Sequence, residues 1–337
     1  MIALVVGAET QHGVTAYARD VAEAVQRLEP EVAIVGPESL AAEIPPTRAH
    51  LHFTDRLWAS SPEEAAARIE TLAQRTALTV TLHDLPQTSD GERNLPRRVD
   101  AYRRVAAAAR GVVCNSRHEA GLLAEFVGPV ATVGVIPLAV DAHPAPHVRP
   151  AGDGTAAVLG FFYPGKGHAE VVEAVAGGPV AGSGPGAGRL GWRGVTVLGR
   201  SSPGHEAELE AMVRAAAERG VVVDVTGYLS DADLLTRCRS VSVPVAAHRH
   251  VSASGSIATW IAAGRRPIVP DTRYSREMAE LRPGTLRLVG RDGLQAALED
   301  ALAHPESTWS DADATTAPDT GDVARAYLSW WRDAVVW

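Results

Sequence analysis

Residues 156–175 read AAVLGFFYPGKGHAEVVEAV, and the interpretation of this stretch decides the fold. Ala156–Gly160 is a short apolar run closed by glycine, the pattern of a strand buried on both faces. His168–Val175 carries its apolar residues at helical spacing. Between them, Gly160–Gly167 nearly spells the phosphate-binding loop GxxxxGK[ST]. A true P-loop places a hydroxyl after the lysine to hold magnesium, and Gly167 has none. Its interior, Phe161-Phe162-Tyr163-Pro164, is also too bulky to wrap backbone amides around a phosphate. What survives is a strand, a glycine turn, a lysine and a helix start. That is the opening of an α/β unit, with an ammonium and free amides suited to an anion. A solvent-exposed turn lysine is the plain alternative.

Strand and helix alternate on both sides of this stretch. Upstream, Ile2–Val6, Val32–Val35, Ala49–Thr54, Leu78–His83, Gly111–Asn115 and Val130–Ile136 read as strands. Helices are predicted over Val14–Leu28, 62–76, Pro96–Arg110 and Glu119–Glu125. Downstream, strands are predicted at Val195–Leu198, Val221–Val225, Val241–Val245 and Pro267–Pro270, with helices over Glu206–Arg219, Asp231–Arg239, Ser256–Ala263 and Gly293–Ala303. Such alternation predicts parallel sheets covered on both faces. Residues 141–154, rich in proline and glycine and without periodicity, read as a linker. Gly177–Gly191 reads as a flexible glycine-rich stretch. Within it, GSGPGAG (Gly182–Gly188) matches the dinucleotide fingerprint as text but has no strand before it and no helix signal after it. The tail, VARAYLSWWRDAVVW, is an amphipathic helix that needs an apolar groove. The expectation is two doubly wound Rossmann-like α/β domains facing a central cleft: residues 1–141, joined by the C-terminal helix 321–337, and residues 142–320. Ligands of such sheets bind at the carboxyl ends of strands.

Composition narrows the function. The chain has 337 residues, 46% of them hydrophobic and 21% charged, ordinary values for a packed protein. No apolar run reaches the roughly 18 residues that span a bilayer, and the start has no basic region ahead of its first strand, so no integral membrane segment and no secretory signal are expected. A net charge of −8 disfavours nucleic acid as a partner. Cys114 and Cys238 lack CxxC partners, which gives no zinc or disulfide framework and fits a reducing cytoplasm. Of the 32 basic residues only one, Lys166, is a lysine.

Other residues carry candidate chemistry. SASGSIATWIAAG (Ser252–Gly264) sets Ser252, Ser254, Gly255 and Ser256 before an apolar helix, where small residues leave amides bare for an anion; ordinary capping is the alternative. Paired with Lys166, these residues favour a diphosphate site. His83 closes a buried strand and either meets a sugar hydroxyl or is a satisfied structural histidine. His52, Asp55, Arg56 and Trp58 follow another strand end; they suit a stacked acceptor sugar, or form a loop around a buried indole. No HxxxH, HExxH or DxD pattern supports a metal.

In this order the pieces resemble retaining GT-B glycosyltransferases of family four, over most of the chain. The resemblance is carried by HGVTAYARDVAEAV (His12–Val25), VTLHD (Val80–Asp84), VVCNSRHEAGLL, VIPLAVD (Val135–Asp141), LGFFYPGKGHAEVVEAV, VTVLGR, VDVTGYLSDADLLTRC and ATWIAAGRRPIV. It implies an acceptor-side first domain and a nucleotide-sugar-binding second domain. Gly13 would let the backbone approach the donor phosphate, His83 would contact the donor sugar, and Lys166 would neutralise the leaving diphosphate. Tyr228 would lie near the nucleobase, and Ser254, Gly255 and Ser256 would offer backbone donors. There are departures. Phe161 and Phe162 stand where the family carries an arginine, a role open to Arg200 or Arg249. The two family glutamates fall on Val251 and Thr259; His248 or His250 could replace the first, and the Thr259 hydroxyl the second.

The function so implied is transfer of a hexose from GDP-mannose or UDP-glucose, GDP-mannose first, to a saccharide or small glycoside acceptor. It is retaining and metal-independent, with the nucleotide sugar as substrate and no cofactor. An inactive nucleotide- or sugar-binding module is one competing reading, and a P-loop-like ATPase is another.

Overall fold

A strand that is apolar along its whole length is satisfied only when helices cover both faces of its sheet, and the apolar runs here become parallel strands. The computed structural model describes residues 2–9, 12–178, 191–290, 292–311 and 313–337; the Gly182–Gly188 stretch therefore lies outside the described residues. The chain divides into two units, Met1–Ala139 with Pro318–Trp337, and Val140–Ala317.

Unit 1 runs β1 (Ala3–Val5), α1 (Gly13–Leu28), β2 (Ala33–Val35), β3 (Arg48–Phe53), α2 (Asp55–Trp58), α3 (Pro62–Ala73), β4 (Ala77–Leu82), α4 (Gly91–Ala108), β5 (Gly111–Cys114), α5 (Arg117–Leu122) and β6 (Val133–Val135). Unit 2 runs β7 (Thr155–Leu159), α6 (His168–Gly177), β8 (Gly194–Leu198), α7 (Glu206–Glu218), β9 (Val223–Val225), α8 (Asp231–Ser240), β10 (Val243–Val245), α9 (Gly255–Ala262), β11 (Ile268–Pro270), α10 (Arg273–Leu281), β12 (Arg287–Val289) and α11 (Leu294–Ala303). A last helix, α12 (Thr320–Asp333), belongs to unit 1.

Both sheets have six strands, ordered β2-β1-β3-β4-β5-β6 and β12-β11-β10-β7-β8-β9. Every strand pair is parallel. Each order reverses once, between β1 and β3 in unit 1 and between β7 and β10 in unit 2. A doubly wound sheet opens a crevice at that point, outside the carboxyl ends of the strands.

One face of the first sheet packs Leu51, Phe53, Val80 and Leu82 against Ala65, Ile69, Tyr102 and Val105 of α3 and α4. On the other face, Leu4 and Val113 pack with Val21 and Val25 of α1 and with Tyr327, Trp330 and Trp331 of α12. The groove that the tail requires is made by glycines. A Cβ on Gly111 would stand 2.9 Å from the Trp330 ring, and one on Gly134 would stand 2.8 Å from it.

The structure departs from the sequence reading in several elements, among them the short helix α2, in a stretch read as a loop. Helix α4 begins at Gly91, so Pro96 lies inside it rather than at its start. Helix α10 and strand β12 were not anticipated. α10 is short and led by a Thr272–Ser275 capping box, and β12 is an edge strand of three residues opened by Arg287, with no apolar run to announce it.

Candidate functional site

The crevice of unit 2 is built by the segments that follow β7 and β10. After β7 the chain stays extended: the Phe162 amide donates to the Arg200 carbonyl at 2.8 Å, and the Ser202 amide donates to the Phe162 carbonyl at 2.8 Å. Phe162 is buried. The loop thus continues sheet pairing and does not wrap a phosphate, which removes the physical basis of the P-loop ATPase reading. Gly167, at the position of the P-loop hydroxyl, has φ +100° and caps α6 without a side-chain hydrogen bond. A Cβ there would come within 2.7 Å of the Ala247 Cβ and closer still to its carbonyl, so only glycine fits.

Lys166 sits between these elements, 8% exposed. Its Nζ donates to Ser256 Oγ at 3.4 Å. Among the described residues no carboxylate pairs with it. Burial lowers its pKa from 10.5 to about 8, which still leaves it charged at neutral pH. Ser254 caps α9, its Oγ accepting from the Ile257 amide at 3.3 Å, and lies 3.1 Å from Ser256 Oγ. The His248 Nδ1–H donates to the Ala246 carbonyl at 3.3 Å, which leaves Nε2 as an acceptor 3.5 Å from Ser256 Oγ. Burial and the nearby Lys166 hold His248 neutral, far below the usual histidine range. Gly255 is exposed, with open space where a Cβ would be.

The structure therefore brings together Lys166, His248, Ser254, Gly255 and Ser256. Ser252 is buried just ahead of them. Thr259 lies one turn into α9 and spends its hydroxyl proton on the Gly255 carbonyl at 3.0 Å, so only its lone pairs can meet a ligand. Arg249 pairs with Glu170 of α6, an exposed contact that a phosphate could compete for. Arg200 is exposed, with its guanidinium over the Phe161 ring at 5.5 Å. Tyr228 stands 59% exposed after Gly227, whose amide donates to the Gly199 carbonyl at 3.0 Å.

His168, which the sequence reading passed over, opens α6 beside this cluster. It is 1% exposed, and among the described residues neither ring nitrogen has a partner. Burial, reinforced by Lys166, lowers its pKa to about 3. A histidine directly after the GKG turn was the one available signal.

Unit 1 holds the remaining residues. Gly13 opens α1, where the His12 ring accepts from the Val14 amide at 3.3 Å, and a Cβ on Gly13 would meet nothing. His83 is buried, and both of its ring nitrogens are taken, Nε2 by His52 Nδ1 at 2.9 Å and Nδ1 by the Asn115 amide at 3.3 Å. A donor sugar at His83 would have to displace one of these two contacts. Asp55 is buried as a counter-ion of Arg98, which further binds Asp84 and Asp90. Asp84, directly after His83, is the only non-glycine residue with positive φ among the described residues. Arg56 is exposed. Trp58 is buried, its Nε1–H donating to the His52 carbonyl at 2.9 Å, and with His52 it lines a cavity.

No protein-family model matches the chain, and no curated protein matches it in sequence. Solved structures do match in fold. HepE from Anabaena, in complex with UDP and glucose, covers 98% of this chain and 99% of its own, at TM-score 0.74 and 12% identity. Sucrose-phosphate synthase from Thermosynechococcus elongatus covers 98% and 95%, at TM-score 0.67 and 16% identity. The lipopolysaccharide outer core galactosyltransferase WaaB, in its apo form, covers 98% of each chain, at TM-score 0.61 and 9% identity. With its two parallel six-stranded sheets, the chain has the GT-B fold.

Proposed function

We propose that this chain is a glycosyltransferase that moves a hexose from a UDP-sugar to a hydroxyl of a saccharide or small glycoside, with retention at the anomeric carbon. One observation carries the reading. The only lysine of the chain is buried, with no carboxylate partner among the described residues, at the strand-order reversal of unit 2, beside the starts of α6 and α9. An uncompensated ammonium with bare helix amides around it is a receptor for a diphosphate.

In this mechanism the bond from the anomeric carbon to the β-phosphate oxygen breaks, and Lys166 and the amides at the start of α9 hold the charge that develops on the diphosphate. The acceptor oxygen attacks from the same face, and its proton passes to the leaving diphosphate. Charge neutralisation is assigned to Lys166, so the reading invokes no metal, and chelation with EDTA will leave turnover unchanged. The buried, unpaired Cys114 and Cys238 go with action in a reducing cytoplasm. The UDP bound by HepE moves UDP-glucose ahead of GDP-mannose, the order opposite to that drawn from sequence.

The test is Lys166→Met, which keeps the alkyl stem. Losing one preorganised contact to a developing anion costs about a hundredfold or more in turnover. We expect that loss, together with loss of the UDP-induced rise in melting temperature, while the fold persists. Near-normal sugar transfer in the variant overturns the assignment. Tight UDP binding with no sugar released from any donor favours the inactive binding module instead.

A further inference from the structure

Unit 1 has a crevice of its own. Where its strand order reverses, between β1 and β3, lies a cavity of about 170 Å³ with Gly7, Thr15, His52 and Trp58 in its wall. That is far more than the ~15 Å³ one water needs, and less than the ~300 Å³ at which pockets for drug-sized ligands begin. It suits a single small ring. The two charged residues in the wall, Glu9 and Arg68, are of opposite sign, so the cavity favours a neutral guest. Thr15 is 1% exposed, and among the described residues its hydroxyl has no partner.

His52 supplies the second polar group, and its proton can be located by following a chain of contacts. The Asn115 Nδ2 lies 3.5 Å from the Leu82 carbonyl and 3.3 Å from His83 Nδ1. A carbonyl only accepts, so the NH₂ side of the amide faces it, and the same group donates to His83 Nδ1. His83 then carries its proton on Nε2 and donates it to His52 Nδ1 at 2.9 Å. His52 must in turn carry its own proton on Nε2, which has no protein partner among the described residues. His50 does not compete, because its nitrogens are held by the Thr79 and Thr81 hydroxyls at 2.9 and 3.0 Å. Burial keeps both His52 and His83 neutral, so neither ring can donate in both directions.

We propose that Asn115, His83 and His52 form a one-directional hydrogen-bond chain that presents the Nε2–H of His52, together with the Thr15 hydroxyl, to one neutral hydroxylated sugar ring held in this cavity beside Trp58. His83 is then a positioning residue: it fixes the tautomer of His52. Naming that ring as the acceptor rests on the sugar-transfer reading. The chain of protons and the site do not.

The test uses the full chain with ¹⁵N-labelled histidine near neutral pH. Long-range ¹H–¹⁵N spectra will give His52 and His83 as Nε2–H tautomers. Asn115→Asp, which can only accept, will reverse both to Nδ1–H. Titration with D-glucose or D-fructose will move the His52 Nε2 and Trp58 indole signals. Thr15→Val, which removes an unpaired hydroxyl and leaves the fold intact, will weaken that response about tenfold. An Nδ1–H or doubly protonated His52 in the unmodified protein overturns the proposal, as do His52 and Trp58 signals that neither sugar moves. UDP binding, followed through Lys166→Met, is read separately. If it persists while the sugar response is absent, this inference alone has failed; the converse removes only the transfer reading.

Discussion

Lowering the pH from 7 to 5 will destabilise both units, and the size of the effect can be worked from two buried histidines. His50, in unit 1, has its pKa lowered to about 3 by burial, with His83 adding to the shift. His168, in unit 2, is lowered to about 3 by burial and Lys166. In the unfolded chain each titrates near 6.5. Below that value the unfolded state binds protons that the native state refuses, so stability falls as pH falls. At pH 5 each histidine contributes a loss of about 2 kcal/mol, with a slope approaching ~1.4 kcal/mol per pH unit. His52, His83 and His248 shift in the same direction and steepen it. Against a total of roughly 5–15 kcal/mol for a domain, the loss is large. Carboxylates with lowered pKa lose their contribution mainly below this window, whereas Asp84, whose pKa burial raises, acts in the opposite sense to the histidines. The assay is urea unfolding followed by tryptophan fluorescence at several pH values. The Trp331 ring lies 5.1 Å from that of His50 and reports unit 1, and Trp260 is fully buried in unit 2. His50→Asn will flatten the unit 1 slope by about one proton. A stability that is level between pH 7 and 5, or a native His50 that titrates near 6.5, refutes the reasoning.

Three further outcomes follow from the geometry. Gly167→Ala puts a Cβ at φ +100° against the Ala247 backbone and will cost unit 2 on the order of 3 kcal/mol, read as a drop in its urea midpoint. Trp330→Ala empties the slot between Gly111 and Gly134 and will cost unit 1 about 3–5 kcal/mol by the same measurement. UDP affinity will be level below the Lys166 pKa of about 8 and will fall by up to ~10-fold per pH unit above it, as calorimetry in buffers of increasing pH will register; a level profile removes Lys166 from the site.

Much of the fold was legible because it depends on local pattern. Apolar runs closed by glycine or histidine became parallel strands, and Lys166 stood out by being the only residue of its type. What was not legible depends on register between distant segments. Asp55 and Trp58 follow a strand end with charges nearby, which reads equally well as a sugar platform or a packed loop. The choice was made by Arg98, 43 residues away, whose guanidinium claims Asp55. Likewise His83 reads as a strand-end histidine facing a ligand until the β3–β4 pairing brings it against His52, 31 residues away. Thr15 and Asn115 are ordinary residues in sequence, and only their partners, or the want of one, mark them.

The want of the two glutamates that the family resemblance implies has a physical meaning in this setting. A carboxylate beside Lys166 would close an ion pair and cancel the field at the start of α9. Here the surrounding groups are hydroxyls, the neutral imidazoles of His248 and His168, and the Tyr163 ring, and the positions at which the family resemblance implies two glutamates hold Val251 and Thr259. A buried ammonium without a counter-ion costs stability, as the lowering of its pKa by burial registers. An incoming diphosphate relieves that cost and returns the pKa upward, so nucleotide binding will take up protons above pH 8. Introducing Val251→Glu tests the argument: if the new carboxylate reaches Lys166, it will raise the thermal stability of unit 2 and weaken UDP binding together. A variant that binds UDP more tightly instead assigns that position to sugar or nucleotide contact, and the open ammonium is then not what selects the ligand.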